Sequence, residues 1–236
     1  MGILDFLTDQ FVDVIDWTER PGELALRYPV AEDEILNGTQ LTVREGQRAF
    51  FYSDGQVADV FGPGLHTLET ANLPLLTALL NWDKGFASPF KSDLVFFTTR
   101  EQVGLKWGTA QPVTVRDREF GPLRLRAYGS YAFRLDNIAL FAARLMGTLD
   151  RLTVAELDPQ LRSAIATALA TDLGDDTSFV DLAADQQALS ARLQAAVTPA
   201  FAAWGLACTG FFVESVSLPD TVQRALDQAS AARLAR

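Results

Sequence analysis

The spacing of hydrophobic and polar residues changes several times along this chain. In the first segment, at about 100° per residue, the apolar residues fall on one side of a helix and Asp5, Asp9 and Asp13 fall on the other. This pattern predicts an amphipathic helix over residues 1–20, which ends at Pro21-Gly22 because proline cannot continue the helical hydrogen-bond ladder. The apolar stripe of this helix comprises Ile3, Leu4, Leu7, Phe11, Val14 and Ile15.

The next part of the chain shows the short apolar runs and turn residues that are typical of β-strands. Up to about residue 68 these runs predict a meander, with a hairpin at Asp54-Gly55 because a tight turn between twisted strands needs positive φ. A helix of two turns is expected over residues 73–80, before the β pattern resumes. The predicted strands are 24–30, 40–44, 49–53, 56–61, 93–99, 103–107, 112–116 and 123–133.

In the second half, apolar residues recur every three or four positions and predict two helices. The first opens with the capping box Thr153 to Glu156 and continues to about Leu173, and at Pro159 it either restarts or bends. The second extends from about Val180 to Gly205. A strand is expected over residues 211–218, followed by a helix over 219–236 that has no stop signal and is expected to continue past this chain.

Composition narrows the classes of function. The chain has 236 residues, of which 48% are hydrophobic, and its net charge of −10 disfavours nucleic acid as a partner. One cysteine and one histidine allow neither an internal disulfide nor a histidine pair for zinc. No apolar run approaches the roughly 20 residues needed to span a bilayer, and the start lacks a secretory signal, so we expect residence in the cytosol.

The residue types that carry catalysis are sparse and isolated. His66 and Cys208 are predicted to be structural, since neither belongs to a recognisable nucleophile or base arrangement. The carboxylate clusters Asp175-Asp176 and Glu32 to Glu34 offer an acid–base pair or a site for a hard cation, but solvated turns are the ordinary explanation. We therefore expect no enzyme activity and no cofactor, and a cytosolic enzyme with a carboxylate site is the least favoured reading.

Arginines stand out against the acidic background because they recur at even spacings in strand-like sequence, which places local pairs on one face of a sheet. They either lie on a solvated face or contact an acidic copy of the same protein, since the first hundred residues carry a net charge of −8. The arginines concerned are Arg116, Arg118, Arg124, Arg126 and Arg134, and the first four are the predicted oligomer contacts.

Residues 38–76, GTQLTVREGQRAFFYSDGQVADVFGPGLHTLETANLPLL, closely resemble the first part of the SPFH or band 7 domain of stomatins, prohibitins and flotillins. The resemblance rests on Val-Arg-Glu-Gly-Gln, the Asp-Gly hairpin, Gly-Pro-Gly and the Thr-Leu-x-Thr-x-Asn-Leu-Pro run in that order. Lys106-Trp107-Gly108 and the residues from 205 to 219 are similar to the second half. The resemblance implies an α+β fold, with a mixed or antiparallel sheet and packed helices over residues 22–218, flanked by the helices at 1–20 and 219–236.

Within that superfamily the chain is most similar to soluble bacterial members linked to phage-shock protein A and envelope stress, some of which carry a C-terminal zinc ribbon. The resemblance implies a non-enzymatic oligomeric scaffold, peripheral to the inner face of the cell membrane, with phage-shock protein A as a partner. The apolar stripe would bind the membrane or an integral membrane protein, unless it packs on its own sheet. The alternative function is a cage or regulator of a membrane protease.

Overall fold

The computed structural model of this chain describes residues 14–29, 39–53, 55–68, 92–117, 121–172, 185–218 and 223–224. The strands within these ranges are β1 (Val14–Asp16), β2 (Glu23–Tyr28), β3 (Thr39–Val43), β4 (Gln47–Ser53), β5 (Gln56–Phe61), β6 (Gly64–Leu68), β7 (Ser92–Thr98), β8 (Gln102–Gly108), β9 (Val113–Asp117), β10 (Gly121–Leu135), β11 (Arg151–Thr153) and β12 (Leu206–Ser217). The helices with defined bounds are α1 (Ile138–Phe141), which continues into a π-helical turn at Ala142–Met146, α2 (Val154–Asp172) and α3 (Gln186–Ala202).

The helices and largely antiparallel sheets of the described residues confirm the α+β class. The described chain divides into two compact units. Unit 1 contains the described residues up to Arg100 together with Met146–Val154. Unit 2 contains Glu101–Leu145 and the described residues from Ala155 onward.

Unit 1 is built from two sheets with a shared core. A three-stranded sheet has the order β1-β3-β6, and a five-stranded sheet has the order β11-β2-β7-β4-β5. Apolar side chains from both sheets bury one another, because alternate residues of each strand point to the same face. The buried cluster comprises Ile15, Trp17, Leu41, Val43, Ala49, Phe51, Leu68, Leu94 and Phe96.

The predicted helix over residues 1–20 is wrong in its last part. Val14–Asp16 forms β1, which pairs in parallel with β3 and places Ile15 opposite Leu41. Residues 17–20 continue without helical structure, and Glu23 Oε2 accepts a hydrogen bond from Arg20 N at 2.9 Å. The pairing with β3 is a contact distant in sequence, and it overrides the local helical periodicity. Residues 1–13 lie outside the described part.

The meander predicted up to residue 68 is also wrong, although its strands exist. The hairpin of β4 and β5 is confirmed, with Ser53 paired to Gln56 and Gly55 at φ 75°. However, β3 pairs with β6 in a separate sheet, while β2 and β4 both pair with β7. The eight strands predicted between residues 24 and 133 all occur, with ends within two residues of the prediction.

Unit 2 packs helices against one face of a four-stranded sheet. Strand β10 lies between β12 and β8, and β9 extends the β8 side of β10. Tyr131 and Phe133 on β10 contact the ring of Phe201 on α3, with centroids 6.0 and 6.4 Å apart. Tyr131 also donates a hydrogen bond to Asp158 on α2, at 3.2 Å. These contacts fix α2 and α3 on the same side of the sheet.

The helical periodicity of the second half is confirmed. In α2 the buried stripe is Leu157, Leu161, Ile165 and Leu169, and in α3 it is Leu189, Leu193, Val197 and Phe201. Helix α2 passes through Pro159 without a restart, and α3 begins after Asp185, whose Oδ1 accepts from Ala188 N at 2.8 Å. Strand β12 begins at Leu206, earlier than the predicted residue 211. The helix expected over residues 73–80 and most of the one over 219–236 lie outside the described residues.

Candidate functional site

The apolar stripe predicted at the chain's start is divided by the structure. Ile3, Leu4, Leu7 and Phe11 lie outside the described residues. Val14 has 53% of its surface exposed, whereas Ile15 is 4% exposed within the core of unit 1. Ile15 therefore belongs to the fold and offers no surface to a bilayer.

The arginines of β9 and β10 gather on the sheet face of unit 2 that lies opposite the helices. Arg124 and Arg126 are exposed and alternate with the buried Leu123, Leu125 and Ala127. Arg116 is exposed on β9, where it pairs with Pro122 and shares the outer face with Arg124. The even spacing predicted one face for each local pair, and Arg124 and Arg126 do share a face. That Arg116 lies on the same face follows from the pairing of β9 with β10. Arg118 lies outside the described residues.

Two aromatic side chains continue the same face. Tyr128 follows Arg126 by two residues on β10 and is 53% exposed. Phe212 on β12 is 59% exposed and pairs with Ser130, two residues beyond Tyr128. A bulge in β12 between the partners of Tyr128 and Gly129 sets this register. We call the surface formed by Arg116, Arg124, Arg126, Tyr128 and Phe212 the basic face.

An ion pair borders the basic face. Lys106 Nζ on β8 lies 2.7 Å from Glu214 Oε1 on β12. The hydrogen bond from Lys106, followed by one from Ser130, holds the pKa of the Glu214 carboxyl below its usual range. Glu214 is thus a carboxylate at neutral pH and neutralises Lys106, so the net positive charge of the face resides on its arginines.

Those arginines differ from most others in the described chain. Arg116, Arg124 and Arg126 have no carboxylate partner among the described residues. By contrast, Arg134 on the same strand pairs with Asp136 at 2.9 Å. On helices, Arg162 pairs with Asp158 at 2.5 Å and Arg192 with Asp172 at 2.6 Å. Within the described part of the chain, the basic face therefore presents three guanidinium groups that no carboxylate binds.

Groups that could support catalysis are bound within the fold. His66 Nε2 donates to the Gly62 carbonyl at 2.7 Å, and its ring contacts Phe61. Burial raises the pKa of the Cys208 thiol to about 11, which disfavours the nucleophilic thiolate. No group of three or more metal-ligating side chains occurs among the residues the structure describes. Asp175, Asp176 and Glu32 to Glu34 fall outside them.

A groove of about 670 Å³ lies between α2 and α3. Thr167 and Thr171 line it, and their hydroxyls donate to the carbonyls of Ser163 and Thr167, both at 3.0 Å. Because these hydroxyls are already bonded within the helix, the groove presents mainly methyl groups and the ring of Trp204. Among the described residues that line the groove, Asp172 is the only charged one, and Arg192 already binds it.

The sequence did not point to the aromatic part of the basic face. Tyr128 continues the period of two from Arg124 and Arg126, so extending that pattern by one step would have found it. Phe212 has no such signal, because its position beside Tyr128 depends on pairing between strands distant in sequence and on the bulge in β12.

These features define an α+β protein with an exposed basic and aromatic surface. The described part of the chain shows no helix long and apolar enough to cross a membrane. Residues 25–234 match the SPFH domain-Band 7 family, and the chain belongs to that family. It is also similar to the uncharacterised protein YdjI of Bacillus subtilis (strain 168), with 26% identity over 225 residues that cover 93% of this chain and 68% of that protein. Family membership suggests a membrane-associated, scaffold-type role, and proteins of this family are generally non-enzymatic.

Proposed function

We propose that this protein is a non-enzymatic scaffold that assembles into oligomers at the cytoplasmic face of a bacterial membrane, where it serves in envelope stress and recruits phage-shock effectors such as phage-shock protein A. The observation that carries the proposal is the family match over residues 25–234. The exposed basic face supports it, since a scaffold needs surfaces for partners rather than an enclosed active site.

In this proposal the first residues of the chain attach the assembly to the membrane. Ile3, Leu4, Leu7 and Phe11 remain as the apolar stripe once Ile15 is assigned to the core. At about 1.5 kcal/mol for each buried side chain, they would contribute about 6 kcal/mol before ordering costs. Repulsion between three aspartates and an anionic leaflet would remove about 3 kcal/mol. A single copy would bind weakly, whereas many linked copies would bind firmly.

The test is flotation of the full chain with phosphatidylethanolamine vesicles that contain phosphatidylglycerol. We expect the paired substitution Leu7→Ser and Phe11→Ser to abolish flotation, and the matched pair Asp5→Ser and Asp9→Ser to preserve or increase it. Deletion should stop at residue 13, because removing residues 1–20 would also remove the core residues Ile15 and Trp17. Unchanged flotation of the Leu7 and Phe11 variant would refute the membrane role of the stripe.

A variant of Ile15 separates folding from attachment. Ile15→Ala should lower the free energy of unfolding by about 2 to 5 kcal/mol, because it leaves a cavity in the core of unit 1. At temperatures below its unfolding midpoint, this variant should float with the vesicles as the wild type does.

Effector recruitment is tested separately, by co-sedimentation of phage-shock protein A with the vesicle-bound chain. Binding that requires a membrane protease in the vesicles would support the alternative role as a protease cage or regulator.

A further inference from the structure

We propose that the basic face is the docking surface for an acidic amphipathic helix of a different protein. This inference rests on the proposed scaffold function, because it names the chemistry of the segment through which an effector would be recruited. The helix would present carboxylates to Arg116, Arg124 and Arg126 and an apolar side chain to Tyr128 and Phe212, all of which are exposed.

The three arginines concentrate positive charge on one face. Successive outward residues of a strand lie about 7 Å apart, so Arg124 and Arg126 repel one another, and Arg116 on the neighbouring strand adds to the repulsion. Carboxylates placed against them would relieve this repulsion and accept the paired N–H groups of each guanidinium. Charge complementarity therefore requires an acidic occupant.

The described part of this chain offers no acidic helix for this purpose. Among the described helices only α2 carries acidic residues, Glu156, Asp158 and Asp172, and each already interacts within the chain. The described residues of unit 1 hold seven carboxylates and six arginines, a net charge of −1, and four of those carboxylates are in ion pairs. We therefore assign the face to a helix from another protein.

The pairing around the basic face favours a helix over an extended segment. Strand β10 pairs with β12 on one side and with β8 and β9 on the other, so it is a central strand. An extended segment laid across this face would leave its own buried backbone groups unbonded, whereas a helix satisfies them internally. Helical residues four positions apart are separated by about 6 Å along the axis, close to the spacing of Arg124 and Arg126.

The aromatic end of the face supplies the apolar contact. Tyr128 lies one outward step beyond Arg126, and Phe212 extends the surface to β12. Tyrosine and arginine are enriched among the side chains that dominate protein interfaces. The distance from Arg124 to Tyr128 is about 14 Å along the strand, which a helix covers in about nine residues. The partner helix therefore carries carboxylates at positions i and i+4 and an apolar residue near i+8.

Glu214 distinguishes a protein helix from a surface of phosphates. It is exposed on β12 two residues after Phe212, and its Oε1 lies 2.7 Å from Lys106 Nζ. A nucleic acid or an anionic bilayer would bring phosphates along the whole face, and those near Phe212 would meet the carboxylate of Glu214. A helix can place an uncharged residue there and keep its carboxylates for the arginines.

The first experiment measures binding of a fluorescent peptide to the full chain by anisotropy. The probe is an alanine- and glutamine-based helical peptide of about 16 residues, with glutamate at i and i+4 and leucine at i+8. Arg126→Glu should weaken binding about tenfold or more, as loss of a close interfacial charge pair does. Arg144→Glu makes the same change at an exposed arginine in the π-helical turn and should weaken it less than about twofold. Unfolding midpoints equal to wild type would show that both variants fold.

The second experiment exchanges the charges. A probe with lysine in place of both glutamates should bind the double variant Arg124→Glu and Arg126→Glu and not the wild type, which a general effect of net charge would not produce to the same degree at Arg144→Glu. For the apolar contact, Phe212→Ser should weaken binding of the original probe about tenfold. Val103→Ser is the matched control at an apolar residue of β8 that is 67% exposed, and it should have less than a twofold effect.

Failure of the original probe to bind the wild type, or equal losses for Arg126→Glu and Arg144→Glu, would overturn the inference and leave the scaffold proposal standing. If the probe binds through the arginines but the Leu7 and Phe11 variant floats unchanged, the membrane role fails and the docking surface stands. The double variant also tests other occupants. If it loses binding to phosphatidylglycerol vesicles or single-stranded RNA, or forms smaller assemblies, while it binds the original probe as the wild type does, the face belongs to those ligands or to a second copy, and the inference is overturned.

Discussion

Gly129 lies on β10 beside the bulge in β12. A Cβ added at Gly129 would overlap the carbonyl oxygen of Phe212 and lie 2.9 Å from its carbonyl carbon. Both atoms belong to the backbone, which cannot move without breaking the pairing of β10 and β12. We expect Gly129→Ala to lower the free energy of unfolding by about 3 kcal/mol in urea titrations. The control is Gly108→Ala on β8, where the added Cβ would be 3.4 Å from Tyr128 Cβ and should cost less than about 1 kcal/mol. Equal losses for the two variants would contradict this account.

Cys208 gives a prediction about pH. Burial raises its pKa from 9.0 to about 11, partly offset by hydrogen bonding to the backbone of Gly210. The folded state therefore holds this proton more tightly than the unfolded state, and its contribution to stability is lost as pH rises from 9 to 11. In the folded protein, alkylation by iodoacetamide should accelerate about tenfold per pH unit over that range, measured by mass spectrometry. The urea-unfolded chain is the control, and its rate should be half-maximal near pH 9 and level off about one pH unit higher. A plateau at the same pH in the folded protein would exclude the predicted shift.

For individual residues, the sequence was informative where a residue's role depends on its neighbours in the chain. The alternation of Arg124 and Arg126 with leucines revealed a common exposed face, because period-two spacing fixes direction on a strand. Ile15 shows the opposite case. Its helical spacing suggested a surface stripe, but its burial results from pairing with Leu41, which no local pattern contains.

At the scale of helices and strands, helix α3 covers strand β12, which lies at the edge of its sheet. Ser190 Oγ accepts a hydrogen bond from Val213 N at 2.9 Å, and Gln194 Nε2 donates to the Cys208 carbonyl at 3.1 Å. Both side chains come from α3 and bind backbone groups of β12. An edge strand whose backbone groups are bound in this way is protected from pairing with another chain.

We therefore expect Ser190→Ala to weaken this edge. Loss of the acceptor for Val213 N should cost about 1 kcal/mol, reduced slightly by the higher helix propensity of alanine. Amide hydrogen exchange at Val213 should accelerate, because the free energy of opening at this amide should fall by a similar amount. Thr198→Ala is a matched control, because the hydroxyl of Thr198 donates to Gln194 O, a carbonyl of its own helix. Thr198→Ala should leave exchange in β12 unchanged, and acceleration by both variants would indicate general loosening of α3 instead.

Helices and strands of unit 2 were largely predictable, because their amphipathic periods agree with their burial. Leu157, Leu161 and Ile165 lie on the buried stripe of α2 as their spacing indicates. The short strands β1 and β11 were missed, since three residues carry too little periodicity to recognise. Each depends on a partner strand in a different part of the sequence, β3 for the first and β2 for the second.

For the whole molecule, the sequence identified the family but not the pairing of strands within it. The chain leaves unit 1 after Arg100, returns for Met146–Val154 and leaves again, which joins β2 to β11 across more than a hundred residues. Pairings between such distant segments are set by the packing of complete sheets, and they leave no local signature. The basic face depends on the same kind of pairing, which brings Phe212 beside β10.

The division into two units predicts that each responds separately to a cavity in its own core. Leu41 is fully buried in unit 1 and Leu193 in unit 2, and alanine at either site should cost about 2 to 5 kcal/mol. In hydrogen exchange measured at low denaturant, Leu41→Ala should accelerate the amides of β4 and β7, while those of β10 and β12 keep nearly wild-type protection. Leu193→Ala is the reciprocal variant and should accelerate β10 and β12 instead. This follows because compact units with their own apolar clusters open as separate cooperative regions. If either variant accelerated both sets of strands equally, the two units would form one cooperative region, and a change in one would be transmitted to the basic face.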